Sequence, residues 1–132
     1  MTLRRTAMKR STVRGSGIPA DVRQAVLLRD EGICQRCSAW CANIPSSIHH
    51  RLPRRMGGRS GLALIASYDM ANLVLLCGTG TTGCHSDVEH DRNQGRDDGW
   101  LLTETEDPTA VPVLTWRGWL YPGTQWTEEK PQ

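Results

Sequence analysis

At 132 residues the chain has the length of one domain, which excludes a second sizeable core, and its 38% hydrophobic share predicts a small one, since typical globular chains reach roughly 45 to 50%. No apolar run approaches the roughly 18 to 20 residues that cross a bilayer and the amino terminus has no hydrophobic signal core, so a soluble, cytoplasmic protein with no membrane partner is expected. The formal net charge of +2 hides an asymmetry: residues 1–59 carry twelve Lys and Arg against three acidic residues, and residues 60–132 carry four against eleven, a basic front half that suits a polyanion such as nucleic acid.

Residues 1–18 hold five basic residues, no acidic residue and few apolar ones, which reads as a flexible basic arm. From Pro19, Val22, Val26 and Leu27 fall at helical spacing and Gly32 supplies a stop, so one amphipathic helix is predicted. CQRCSAWC is a compact knuckle too polar for a strand interior, and 44–52 is a candidate strand interrupted by the basic Gly-rich loop PRRMGGRSG. Residues 72–77, NLVLLC, form a short apolar run that fits a second, buried strand. After the loop CGTGTTGC, the stretch HSDVEHDRNQG predicts a helix of about three turns ended near Gly95. The stretches 100–103, 111–119 and 120–121, punctuated by Pro and Gly, predict short strands with a hairpin. Most of Trp100, Trp116, Trp119 and Trp126 are expected to pack that small sheet, and 122–132 reads as an acidic flexible tail.

Five cysteines stand at 34, 37, 41, 77 and 84, the first two as CQRC. An odd count, the two-residue spacer and the lack of a secretory signal argue against a disulfide framework and for metal. Zinc takes four ligands in a tetrahedron, and a CxxC turn aims two thiolates at one point about 2.3 Å away. Cys77 and Cys84 supply the second pair if the glycines at 78, 80 and 83 let their loop fold tightly. A structural Zn²⁺ held by Cys34, Cys37, Cys77 and Cys84 is therefore expected, with Cys41 as the spare or in exchange with Cys37. Such a staple would support a small core.

All four histidines, His49, His50, His85 and His90, lie within 42 residues. Adjacent His49 and His50 on a strand point to opposite faces and so should have different jobs, one binding metal and the other free as a base. The ordered set CQRC, IHHRLPRRMGG, ANLVLLCG and GCHSDVEH resembles the zinc-bearing HNH nucleases common in bacteriophages, over about residues 18 to 121, one domain's length. The resemblance implies a small single α+β domain over 19–121, a ββα-metal finger with the four-Cys zinc site, preceded by the arm and followed by short strands. It makes His49 a ligand of a catalytic divalent ion (Mg²⁺, Mn²⁺, Ni²⁺ or Zn²⁺), His50 the general base, Asn72 the orienter of His50 and His85 a second ligand.

Physical chemistry suits each role. An imidazole with an ordinary pKa near 6.5 is largely neutral at slightly alkaline pH and can take a proton from water. An Asn amide can fix a histidine tautomer. His85 could alternatively join the structural zinc beside Cys84. For the third ligand, Glu89 lies four residues after His85, about 40° away around a helix, whereas His90 is offset by about 140°. Geometry selects Glu89; residue type and the family's late helical His select His90. Arg51, Arg54, Arg55 and Arg59 flank the site and suit bidentate phosphate contacts.

The expected function is thus metal-dependent hydrolysis of phosphodiester bonds in DNA, and the resemblance implies cleavage of the bond to the 3′ oxygen, leaving 5′-phosphate ends. The resemblance further implies action beside a phage packaging terminase in the host cytoplasm. A non-catalytic zinc-knuckle DNA-binding module would explain the cysteines and the arm equally well, but not the order His49, His50, Asn72, His85.

Overall fold

Helix α1 (Ala20–Arg29) carries Asp21 in its first turn and Arg29 in its last, the placement that the helix dipole favours. It ends where Glu31 and Gly32 adopt positive φ of 56° and 67°. This computed structural model describes residues 17–53 and 67–131; the rest of the basic arm, and the loop with Arg54, Arg55 and Arg59, lie outside the described residues. Strand β1 (Ser46–His50) pairs antiparallel with β2 (Leu73–Cys77), setting Ser47 opposite Leu76 and His49 opposite Val74. Leu73 to Leu76 are all buried, so both faces of β2 are covered, with α1 and helix α2 (Gly83–His90) packed against the strand. Val26 of α1, Cys84 and Val88 of α2, and Trp100 complete one core with them.

A second hairpin, β3 (Val113–Thr115) with β4 (Gly118–Leu120), adds Val113 to that core. The fold is therefore small and α+β, with two separate two-stranded antiparallel sheets among the described residues. No helix among the described residues is long and apolar enough to cross a membrane.

Several elements differ from the sequence expectation. Asn72 does not open β2; it closes a 3-10 turn, Met70–Asn72, that precedes the strand. The helix expected across 85–95 is two helices, because Asp91 leaves helical geometry (φ −94°, ψ 80°) and its side chain caps a new helix α3 (Arg92–Asp97) by accepting from the Gln94 N–H at 3.3 Å. Gly95 is not a stop. It sits inside α3, where a Cβ would lie 2.5 Å from the Val88 carbonyl oxygen and 2.8 Å from the Leu101 side chain. Residues 100–103 form no strand and run irregularly beside β1's end, the Leu102 N–H donating to the Arg51 carbonyl at 2.9 Å.

Part of the segment expected as a flexible tail folds back, as far as Thr127. Tyr121 and Thr127 exchange main-chain hydrogen bonds, Trp126 Nε1 donates to Asp30 at 2.8 Å, and the Arg29 guanidinium lies over the Trp126 ring at 4.8 Å. Trp100 is buried, whereas Trp116 and Trp119 remain half-exposed on the second hairpin, so only part of the expected tryptophan packing occurs.

Candidate metal centres

Among the described residues, two groups of side chains that could hold a metal ion come together. Cys34 and Cys37 come from the turn after α1, Cys77 ends β2 and Cys84 opens α2. Their four sulfurs lie within 4.8 Å of one another, with Cys37 and Cys77 at 3.8 Å. Four sulfurs about 2.3 Å from a central ion would stand about 3.8 Å apart along a tetrahedron's edges, so the set is compatible with a structural zinc site. The main-chain N–H groups of Cys37 and Cys84 point at the sulfurs of Cys34 and Cys77 at 3.5 Å, and Arg36 donates to Cys84 at 3.4 Å. Burial works against ionising Cys34, yet the N–H groups of Cys37, Cys77 and Arg36 bring its thiol below the ordinary value, while burial pushes Cys84 up. Cys41 stays outside the cluster, buried with its thiol toward the Ala39 carbonyl at 3.6 Å.

The second cluster is His49, His85 and Glu89, one ligand atom from each lying within the same 4.8 Å limit. Its chemistry follows from the hydrogen bonds around it. His49 Nε2 is 2.7 Å from the Trp100 carbonyl oxygen. A carbonyl only accepts, so Nε2 carries a proton and Nδ1 is the ring nitrogen turned toward Glu89. That Nδ1 is buried without a hydrogen-bond partner and lies 3.5 Å from Glu89 Oε2.

His85 is set in the opposite sense. The Ser47 hydroxyl donates to the Gly78 carbonyl at 2.9 Å. The same hydroxyl lies 2.6 Å from His85 Nδ1, and on the other side of the ring Nε2 meets the same Oε2 at 3.0 Å. The two rings meet edge to face, with centroids 5.2 Å apart. Three electron-rich atoms aimed at one point repel unless a proton or a cation lies among them, and two imidazoles with a carboxylate suit a divalent ion. Burial, then the neighbouring His49, lowers the pKa of His85 and favours its neutral, ligating form. The Glu89 carboxyl is drawn down to about 2, first by the neighbouring His49 ring and then by His85.

Beside this cluster opens a cleft of about 640 Å³ lined by His50, Pro53, His85, Glu89, Arg92 and Leu102 among others. His50 is half-buried, next to His49 on β1. Ser47 and His49, two residues apart, reach α2 from one face of the strand, as the strand period requires. His85 and Glu89, four apart, share one face of α2. His90 stands outside the cluster: it is exposed, and its Nδ1 bonds the Ser86 carbonyl one turn back at 2.8 Å.

Two sequence assignments need correction. Arg51 does not contact phosphate from a surface. It is 1% exposed, and its guanidinium donates to the carbonyls of Gly99, Ala71, Pro108 and Val111 at 2.7 to 2.9 Å. Burial lowers its pKa to about 9, which still leaves it charged at neutral pH. Asn72 does not orient the His50 ring. Fully buried, it accepts from the Leu52 N–H at 2.7 Å and donates to the Ser67 carbonyl at 3.0 Å, so it braces the main chain just past His50. Arg54, Arg55 and Arg59 lie outside the described residues.

The sequence reading overlooked Ser47 and the Trp100 carbonyl. Ser47 had a signal, standing two residues before His49 on the same strand face. The Trp100 carbonyl had none, being a main-chain atom 51 residues away. Comparison with protein-family models, curated proteins and solved structures finds no match.

Proposed function

We propose that this chain is a metal-dependent DNA endonuclease of the HNH type, with β1, β2 and α2 as its ββα-metal finger and the four cysteines holding a structural zinc. The observation that carries the reading is the convergence of His49 Nδ1 and His85 Nε2 on the Glu89 carboxylate, each ring held by a contact on its far side. A zinc-knuckle binding module has no use for that arrangement.

In this reading His49, His85 and Glu89 hold a divalent cation. Such a cation supplies Lewis acidity at the scissile phosphate and at the leaving oxygen. His50, which lines the adjoining cleft, takes the proton from the attacking water as the new P–O bond forms and the bond to the 3′ oxygen breaks, leaving a 5′-phosphate. Asn72 holds the main chain after His50 and so fixes where that ring starts. Arg92, exposed on α3 at the cleft, and the basic residues of the arm and of the loop after Pro53 receive the DNA backbone. A role beside a phage packaging terminase belongs to the same proposal.

Supercoiled plasmid incubated with the protein and Mg²⁺, Mn²⁺ or Ni²⁺ tests it. Nicked circles are expected with at least one of these ions and none with EDTA. Loss of about 10²- to 10⁴-fold is expected for His50→Ala, and intact plasmid under every ion would refute nuclease activity.

A further inference from the structure

A groove of about 220 Å³ opens where the end of α1 meets the second hairpin, and it shares no lining residue with the cleft beside His50. Trp116 and Trp126 line it, together with Glu31, Gln35 and Arg117 among others. Gln35 is 2% exposed, and nearly every polar group it owns is engaged. Its N–H donates to the Leu75 carbonyl, its carbonyl accepts from the Trp116 N–H, and its Nε2 donates to the carbonyls of Asp30 and Ile33 at 3.1 and 2.8 Å. Two carbonyl partners fix which end of the amide is nitrogen, so Oε1 is the acceptor left over, buried with no hydrogen-bond partner among the described residues. A buried acceptor in that state calls for a donor from outside. Charge narrows the choice. Arg29 and Asp30 neutralise each other at 2.7 Å, which leaves Glu31 and Arg117 as the exposed charges of the groove. Arg117 forms no ion pair among the described residues, and its guanidinium stands 5.6 Å from the centroid of the half-exposed Trp116 ring.

We propose that this groove is a stacking site for one unpaired nucleobase of a DNA strand, with Trp116 as the platform, Gln35 Oε1 as the acceptor for a base N–H, and Arg117 as the contact to the adjoining phosphate. Size agrees with a single ring system. An apolar cavity of about 150 Å³ takes up benzene, so a groove of about 220 Å³ admits one base and not a base pair. Every nucleobase has a π face and at least one N–H, so such a site accepts bases with little regard to sequence. The cation over Trp116 is exposed and can yield the ring face to a base, its guanidinium then turning to the phosphate in the bidentate geometry that suits it. Bases inside a duplex are stacked on one another and cannot enter unless extruded. The substrate class that follows is DNA with a single-stranded or unpaired stretch.

This inference rests on the reading of the chain as a DNA-binding protein, and its test uses no divalent ion beyond the zinc, so it can fail separately from the nuclease activity. Zinc-loaded protein is titrated by fluorescence anisotropy against a short labelled oligodeoxycytidine and against an abasic strand of equal length, which keeps the phosphates and lacks the bases. Wild type should bind the base-bearing strand about 5- to 150-fold more tightly. Trp116→Ala should erase that preference with zinc content unchanged. Trp119→Ala, which removes a half-exposed ring of the same hairpin outside the groove, should keep it. Arg117→Gln should weaken both strands alike and lower the salt slope by about 0.7, the share of one phosphate contact on a single strand. Equal binding of the two strands by wild type overturns the proposal and leaves the groove to a protein segment, and a preference that survives Trp116→Ala overturns it as well. Plasmid nicking is decided independently of either result.

Discussion

Arg51 illustrates how far the destination of a side chain outweighs its type. All four of its hydrogen bonds end on main-chain carbonyls drawn from three separate stretches of chain, so it ties β1's end to the turns at 71, 99 and 108–111. Arg51→Met should therefore leave several carbonyls without a partner in a buried place, each costing about 1 to 3 kcal/mol. The expected loss is about 3 kcal/mol or more in urea unfolding, with the salt dependence of DNA binding unchanged. A variant of wild-type stability whose salt slope falls by about one phosphate contact would return Arg51 to the DNA surface. In the sequence, Arg51 is indistinguishable from Arg54 and Arg55, because its burial depends on carbonyls up to 60 residues away. Glu89 was more legible, since its place one turn after His85 follows from the helical period alone.

At the scale of elements, the break between α2 and α3 sets both the end of the ligand helix and the approach of Trp100 to His49. Gly95 makes it possible, its N–H bonding the Asp91 carbonyl at 2.8 Å while its own carbonyl accepts from Trp100 and Leu101. Two effects oppose each other in Gly95→Ala. Helix propensity favours Ala by up to about 1 kcal/mol, whereas overpacking a close contact costs about 1 to 3 kcal/mol. With a main-chain oxygen 2.5 Å from the new Cβ, the clash should win. Gly95→Ala should lower the thermal midpoint, and a midpoint equal to or above wild type would mean that the helices separate without cost. Pattern reading located these helices but took Gly95 for a stop, because a glycine required by a close approach looks the same in one dimension as one that ends a helix.

Across the whole molecule, the four-cysteine cluster and the His49, His85, Glu89 cluster both draw ligands from the start of α2, Cys84 for the one and His85 for the other. The four cysteines could be grouped from their spacing, since a CxxC turn and a glycine-rich loop constrain few geometries. The return of Gly123 and Trp126 onto the end of α1 could not, because it depends on Trp126 finding the buried pair of Arg29 and Asp30 nearly a hundred residues earlier. A non-catalytic knuckle needs only the first cluster; a nuclease needs both. Counting the ions separates the two most directly. Zinc-loaded protein, dialysed free of loose metal, is analysed for zinc and then titrated with Mn²⁺ by calorimetry, alongside Glu89→Gln. The expected result is one zinc per chain that survives dialysis, one further Mn²⁺ bound without displacing it, and marked weakening of that second ion in Glu89→Gln. A folded chain that keeps its zinc and takes up no second ion would contradict it.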